Sequence, residues 1–164
     1  MSDTQQNAPK AGGNPSDEQG LAPIQVNAQY IKDLSFEAPN TPAIFGEMQT
    51  GAPNIDIEVN LNASNMKDNL FEVVLHLRIK ADLSGKTAFL VDLQYAGVFT
   101  LNVAEEHVQP VLFIECPRIL FPFARNIIGD VTRDGGFPPM MLQPIDFVRL
   151  FRQRLEQTAP QGNA

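Results

Sequence analysis

The chain has 164 residues, one cysteine and a formal net charge of −7, and these totals exclude several classes of protein. A chain of this length predicts one domain with a buried core, and the acidic balance excludes a nucleic-acid binder that relies on clustered Lys and Arg. One cysteine excludes an intrachain disulfide, and the sequence contains neither a run of about 18 apolar residues nor a secretory signal. We therefore expect a cytoplasmic protein with no direct membrane insertion.

The amino-terminal part of the sequence predicts a disordered arm followed by a strand. Residues 1–23 are rich in Asn, Gln, Gly, Pro and Ser and carry few large apolar side chains, so they cannot offset the entropy of ordering. Alternation over residues 24–37 predicts the first strand. One face is expected to carry Tyr30, Lys32, Leu34 and Phe36. The other is expected to carry Asp33, Ser35 and Glu37.

A connection rich in Pro and Gly follows, and it has neither a helical nor a strand period although it carries Phe45. Three further segments alternate between apolar and polar residues, which predicts antiparallel strands with one buried face. They cover residues 55–62, 71–80 and 89–103, with a hairpin turn near residue 85 and a bulge at Gly97. The apolar face of the second strand carries Ile55, Ile57, Val59 and Leu61.

The longest apolar segment runs from Pro110 to Arg133 and has helical spacing. Its apolar arc of roughly 220° is wider than the ~100° stripe that packing on one sheet needs, and the surplus predicts an oligomer. We expect the interface to be formed by Cys116, Ile119, Leu120, Phe123 and Ile127. Pro117 and Pro122 each remove a backbone donor, which predicts a kink or a break near Pro117.

The chain ends with a second helix. A stop at residues 134–136 and an extended segment at residues 138–144 precede it, and Asp146 falls in its first turn. Residues 24–157 are expected to be the folded domain, and residues 158–164 a flexible tail. The predicted fold class is α+β: a four-stranded antiparallel sheet, then a long interface helix and a shorter C-terminal helix.

No pattern in the sequence indicates catalysis, a cofactor or a metal site. Cys116 lies in an apolar helix and is best interpreted as a packing thiol, and His76 alternates with charged residues on a strand. Glu105, Glu106 and His107 form a group without the second ligand cluster that a metal site needs. We therefore predict no catalytic residues, no cofactor and no metal, and a protein that is not an enzyme.

Two features each allow two interpretations. Asp33, Glu37 and Asp92 share an outward face with the apolar Leu90, and this face is either ordinary solvated surface or a dock for a basic protein module. Apolar side chains also lie in the first connection and in the segment between the helices. They either close the ends of the core or form an adaptable groove lined by aromatic and Met side chains.

Several motifs in one order resemble the SecB family of bacterial protein-export chaperones, over Tyr30 to Leu155. They are IKDLSFEAP at 31–39, FEVVL at 71–75, TAFLVDLQ at 87–94, CPRILFPFAR at 116–125, and residues 137–151 with an internal Pro-Ile-Asp-Phe. The resemblance implies a homotetramer, built as a dimer of dimers with the long helices packed between two sheets. It also implies ATP-independent binding of unfolded preproteins and their delivery to the SecA ATPase.

The resemblance further implies where these partners bind. The positions that match the family's SecA contacts are Asp33, Glu37, Leu90 and Asp92. The matched client groove comprises Phe45, Ile55, Ile57, Val59, Phe137, Met141, Phe147 and Phe151. The tail after Gln157 lacks the acidic residues that some relatives carry, so the implied SecA contacts rest on the sheet face.

Two rival functions belong to other classes. A small apolar-ligand carrier or an isomerase-like α+β domain would need an acid on the inward face of the sheet, and the strand acids noted above all have outward parity. A structural oligomerisation subunit would need no client groove.

Overall fold

The computed structural model describes residues 20–160, which form a four-stranded antiparallel sheet with helices packed on one face. The strands are β1 (Ile24–Glu37), β2 (Asn54–Lys67), β3 (Leu70–Leu83) and β4 (Lys86–Leu101). Their order in the sheet is β1-β4-β3-β2, so β1 and β2 are the two edge strands. This architecture confirms the predicted α+β fold class.

The helical elements are α1 (Ala43–Glu47), α2 (Glu105–Pro110), a π-helical turn (Val111–Glu115), α3 (Cys116–Asp134) and α4 (Phe147–Thr158). The connection after β1, which was expected to have no regular structure, contains the short helix α1. The long helical segment starts at Glu105, earlier than predicted. The expected irregularity near Pro117 takes the form of the π turn that precedes it, because Pro117 has no N–H to donate to the previous turn.

The alternation predicted for β1 is wrong at its centre. The pairing of β1 with β4 shifts between Ile31 and Asp33, so Tyr30 and Lys32 both lie on the outer face, where each contacts Glu72. The Lys32 Nζ lies 2.7 Å from the Glu72 Oε1, and the Tyr30 hydroxyl donates to the other carboxylate oxygen. Ile31 takes the inward position opposite Tyr95.

The hairpin between β3 and β4 has the predicted turn, since Ser84 and Gly85 both have positive φ. The bulge expected at Gly97 is absent from the β3–β4 ladder, whose register is regular there. Glycine is needed at this position for another reason. A Cβ on Gly97 would lie 2.7 Å from the Phe99 ring and 2.9 Å from the Leu120 side chain, so glycine allows α3 to pack closely on the sheet.

The core lies between the inner face of the sheet and α3. Leu75, Leu93, Leu120 and Ile128 are completely buried there. The Thr132 hydroxyl accepts a hydrogen bond from the Met140 backbone N–H at 2.9 Å, and this bond fixes the extended segment after α3 against that helix. The Asp146 carboxylate then caps α4 by accepting from the Arg149 N–H at 3.0 Å.

The predicted terminal segments fall mostly outside the described residues, which begin at residue 20 and end at residue 160. Contacts with the fold begin slightly before Ile24, since the Asn102 side chain donates to the Ala22 carbonyl oxygen at 2.9 Å. The Asn102 backbone N–H donates to the Pro23 carbonyl oxygen at the same distance.

Candidate functional site

An apolar groove runs along the inner face of the edge strand β2. Ile55 and Ile57 are 38% and 43% exposed there, and Met141 on the extended segment opposite them is 56% exposed. These three predicted residues line one concavity of about 280 Å³, together with Ile145. The groove exists because α3 packs over β3 and β4, which leaves the inner face of β2 to the thinner cover of residues 137–146 and α4.

A second concavity of about 250 Å³ continues along β2 toward α4. Val59 and Phe151, both predicted groove residues, line it together with Leu61 and Phe113. The Phe113 and Phe151 rings stack with their centroids 6.2 Å apart. The Arg154 guanidinium lies 4.2 Å above the Phe113 ring, so a cation closes this end of the apolar strip.

Three other predicted groove residues do not line either concavity. Phe137 is only 4% exposed and packs against Phe45 and Phe89, with ring centroids 5.1 Å and 5.0 Å away. Phe147 is 2% exposed and packs edge-on against Phe121. The assignment of Phe137 and Phe147 to the client-facing surface is therefore corrected, because both side chains are buried in the core. Phe45 is partly buried beside Phe137.

The sequence interpretation left several lining residues out of the groove. They include Leu61, Phe113, Leu150 and Arg154. Leu61 continues the alternating apolar row of β2, so the strand period contained that signal. No sequence signal pointed to Arg154, because a cation on the polar side of an amphipathic helix is ordinarily interpreted as solvated.

The residues expected to contact SecA lie together on the outer face of the sheet. The β1–β4 register places Asp33 opposite Gln94, Ser35 opposite Asp92, and Glu37 opposite Leu90. Directly opposite residues of an antiparallel pair share a face, so Asp33, Glu37, Leu90 and Asp92 form one patch across two neighbouring strands.

Basic side chains of β3 border this patch, so the face is less acidic than the sequence predicted. The His76 Nε2 lies 2.7 Å from the Asp92 Oδ1, and the Arg78 Nε lies 3.8 Å from the Asp92 Oδ2. Lys80 lies opposite Leu90 in the ladder. Asp92 is therefore held by β3, whereas the carboxylates of Asp33 and Glu37 on β1 are exposed.

The residues expected at the oligomer interface divide into two groups. Cys116 and Leu120 are completely buried against the chain's own sheet, so their assignment to an interface between copies is corrected. Burial, with a smaller contribution from Glu115, raises the pKa of the Cys116 thiol to about 12. Phe123 is 50% exposed, and Ile119 and Ile127 on the same stripe of α3 are partly buried.

The exposed stripe of α3 continues onto β1. Phe123 stacks on Tyr95 at 6.3 Å, and the inward residues Ile31 and Leu34 of the neighbouring edge strand are 48% and 38% exposed. We call this surface the α3–β1 patch: Ile31, Leu34, Ile119, Phe123 and Ile127. The sequence pattern missed Ile31 because the shift in β1 register was not predicted.

The other chemical candidates stay apart. Within residues 20–160, no three His, Cys, Asp or Glu side chains converge on a point where a metal could bind. Glu105, Glu106 and His107 occupy the first turns of α2. The Asp and Glu residues of β1–β4 all lie on the outer face of the sheet, so none of them can provide the inward carboxylate that an isomerase-like site would need.

Among the helices of the described range, none has the length and apolar character needed to cross a membrane.

Comparison with known proteins agrees with this architecture. The family model "SecB: Preprotein translocase subunit SecB" matches residues 17–158. A protein-export protein SecB of Paramagnetospirillum magneticum is 60% identical over 88% of this chain and 94% of its own length. Another, from Rhodospirillum rubrum, is 50% identical over 87% of this chain and 89% of its own length.

A solved structure has the same fold. It is a SecB-like chaperone of Mycobacterium tuberculosis in complex with an antitoxin peptide, with a TM-score of 0.63, 15% identity, and coverage of 75% of this chain and 91% of that one. The motifs at 31–39 and 116–125, the four-stranded sheet with its long helix, and the match over residues 17–158 lead to one conclusion. The chain belongs to the SecB family of protein-export chaperones.

Proposed function

We propose that this protein-export chaperone holds unfolded preproteins in the strip along β2 and delivers them to the SecA ATPase in the cytoplasm. The observation that carries the proposal is the row of exposed apolar side chains on a free edge strand. Ile57 and Met141 remain 43% and 56% exposed, although α3 covers the inner face of the central strands β3 and β4. A stable apolar surface of this kind marks a binding site.

The strip offers two kinds of interaction to an extended segment. Edge strand β2 can pair with a client backbone, and the concavities beside Ile55, Ile57 and Met141 can take apolar side chains. Covering roughly 250 Å² of that apolar surface contributes about 6 kcal/mol at ~25 cal/mol per Å², before the cost of ordering the client is subtracted. A folded protein presents no free strand, so it is expected to escape.

One strip therefore binds weakly, and we propose that assembly multiplies it. The α3–β1 patch, centred on Phe123, is apolar and lies beside the free edge of β1, which suits a second copy of the same chain. A dimer of dimers with α3 between two sheets would present several strips to one long client. Simultaneous contacts then raise the overall affinity without any new type of contact.

For SecA, the proposed dock is the patch formed by Asp33, Glu37, Leu90 and Asp92. It combines two exposed carboxylates on β1 with an apolar side chain, a combination that fits a basic module with an apolar residue at its centre. The hydrogen bond with His76 fixes the orientation of the Asp92 carboxylate, and the nearby Arg78 guanidinium offsets part of its negative charge. We expect Asp33 and Glu37 to provide most of the electrostatic attraction.

A competition assay with light scattering tests the proposal. An unfolded preprotein should displace a labelled unfolded client from the protein, whereas the same preprotein in its folded form should not. The protein should scatter with the mass of four chains. Equal competition by folded and unfolded preprotein, or a monomeric mass at micromolar concentration, would contradict the proposed function.

A further inference from the structure

One cation lies in the client strip without a carboxylate partner. Arg154 on α4 lines the second concavity, and the other polar side chains there are the neutral amides of Asn60, Gln153 and Gln157. Within residues 20–160, no Asp or Glu oxygen lies within 4.0 Å of the Arg154 side-chain nitrogens. Several other cations of this acidic chain are paired, among them Lys32, Lys86, Arg118 and Arg133.

The position of Arg154 connects its charge to the free edge of the sheet. Its Nη1 donates to the Leu61 backbone carbonyl oxygen at 3.3 Å, and its guanidinium lies over the Phe113 ring. A client strand that pairs with β2 would replace Arg154 as the donor to this carbonyl. The guanidinium would then have free N–H groups in fork geometry beside the client, held in place by the aromatic ring.

We propose that Arg154 makes this end of the strip a carboxylate subsite, specific for an extended segment with an Asp, a Glu or a chain-terminal carboxylate. The inference rests on the proposed client-binding function and adds a preference to it. Charge complementarity supports it, because an apolar floor and an unneutralised guanidinium suit an anion better than a cation.

The geometry also sets the spacing of the segment. Ile57 in the first concavity and Leu61 beside Arg154 are four residues apart on one face of β2, which corresponds to about 13 Å. A client strand paired with β2 has the same rise and the same alternation. Its carboxylate should therefore lie about four residues from an apolar side chain that occupies the Ile55–Ile57 concavity.

The test uses fluorescence anisotropy of the full-length protein with labelled, unstructured peptides. One peptide carries the core Leu-Ser-Leu-Ser-Ser-Ser-Glu, a second has the reverse order of this core, and matched peptides have Gln in place of Glu. The Glu peptide in at least one direction should bind on the order of threefold to tenfold more tightly than its Gln partner, since the site is only partly desolvated. The ratio should fall toward one as salt is raised.

Three variants test whether Arg154 causes the preference for the Glu peptide. Arg154→Gln should abolish the Glu preference, so that the Glu and Gln peptides bind with equal affinity, and Arg154→Lys should restore part of the preference. Arg152→Gln is the matched control, because it removes the same charge from α4 on a side about 200° away, and it should keep the full preference.

The outcomes separate this inference from the proposed function. If both peptides bind the wild type equally well, or if Arg154→Gln keeps the Glu preference, the carboxylate subsite is refuted and client binding stands. If neither peptide binds, and an unfolded preprotein also fails to bind, the proposed function fails with it.

Discussion

Replacement of Phe123 by Ala should weaken assembly far more than it weakens the fold of a single chain. Phe123 is 50% exposed, and within the chain its ring stacks on Tyr95. If a second copy covers the exposed half of the ring, roughly 100 Å² per copy at ~25 cal/mol per Å² gives about 2.5 kcal/mol. Two copies across a twofold axis lose about 5 kcal/mol, which corresponds to a more than thousandfold weaker association.

Light scattering over a dilution series measures this change directly. Phe123→Ala should dissociate at concentrations at which the wild type remains assembled. Arg118→Ala on the exposed side of α3 is the control and should assemble normally. Leu120→Ala should instead lower the free energy of unfolding by about 2.5–5 kcal/mol, because its side chain is completely buried within the chain. Unchanged dissociation of Phe123→Ala would refute the α3–β1 patch as the interface.

Four further measurements address the dock, the core and the buried groups. Asp33→Lys should weaken SecA binding severalfold and spare client binding, and equal SecA affinity would exclude Asp33 from the dock. Gly97→Ala should lower stability to urea by about 1–3 kcal/mol, since its Cβ would overlap the Phe99 ring and Leu120. Burial and then the hydrogen bond to Glu72 raise the pKa of Tyr30 from 10.0 to about 12, so the stability that it contributes is complete below about pH 10 and is lost as the pH rises through about 12. Burial also raises the pKa of Tyr95, so ultraviolet titration should show a late transition for both phenolates, and Tyr30→Phe should remove one of the two. The Cys116 thiol should react with thiol reagents only as the protein unfolds, and rapid labelling of the native state would contradict its burial.

The sheet could be predicted from the sequence because alternation is a local signal. Strands with one buried face must alternate, and the bounds of β1 agree with the pattern from Ile24 to Glu37. The shift between Ile31 and Asp33 could not be predicted in the same way. A bulge adds one residue to one strand and leaves no mark in the composition, yet it moves Tyr30 and Lys32 to the outer face.

The helix presented a different difficulty. An apolar arc of roughly 220° identifies a helix with two apolar partners, but it does not say which part faces the chain's own sheet. Tertiary packing decides this, and it places Cys116 and Leu120 in the core while Phe123 remains half exposed. The π turn was also beyond local propensity, although Pro117 indicated a disturbance near the position where it occurs.

The candidate groove could be predicted only in part, because some of its features depend on tertiary packing. Ile55, Ile57 and Val59 follow from the strand period, whereas the exposure of Met141 and the burial of Phe137 and Phe147 depend on how residues 137–147 return over the sheet. Arg154 enters the strip only because α4 lies beside β2, a contact between residues far apart in the chain.

The central claim is that unfolded clients bind along β2, and hydrogen exchange with and without an unfolded preprotein tests it most directly. Client binding should protect the backbone N–H groups of β2, residues 140–145 and α4, and a folded preprotein should protect none of them. Protection confined to the outer face around Asp33 and Asp92, with β2 unchanged, would contradict the account.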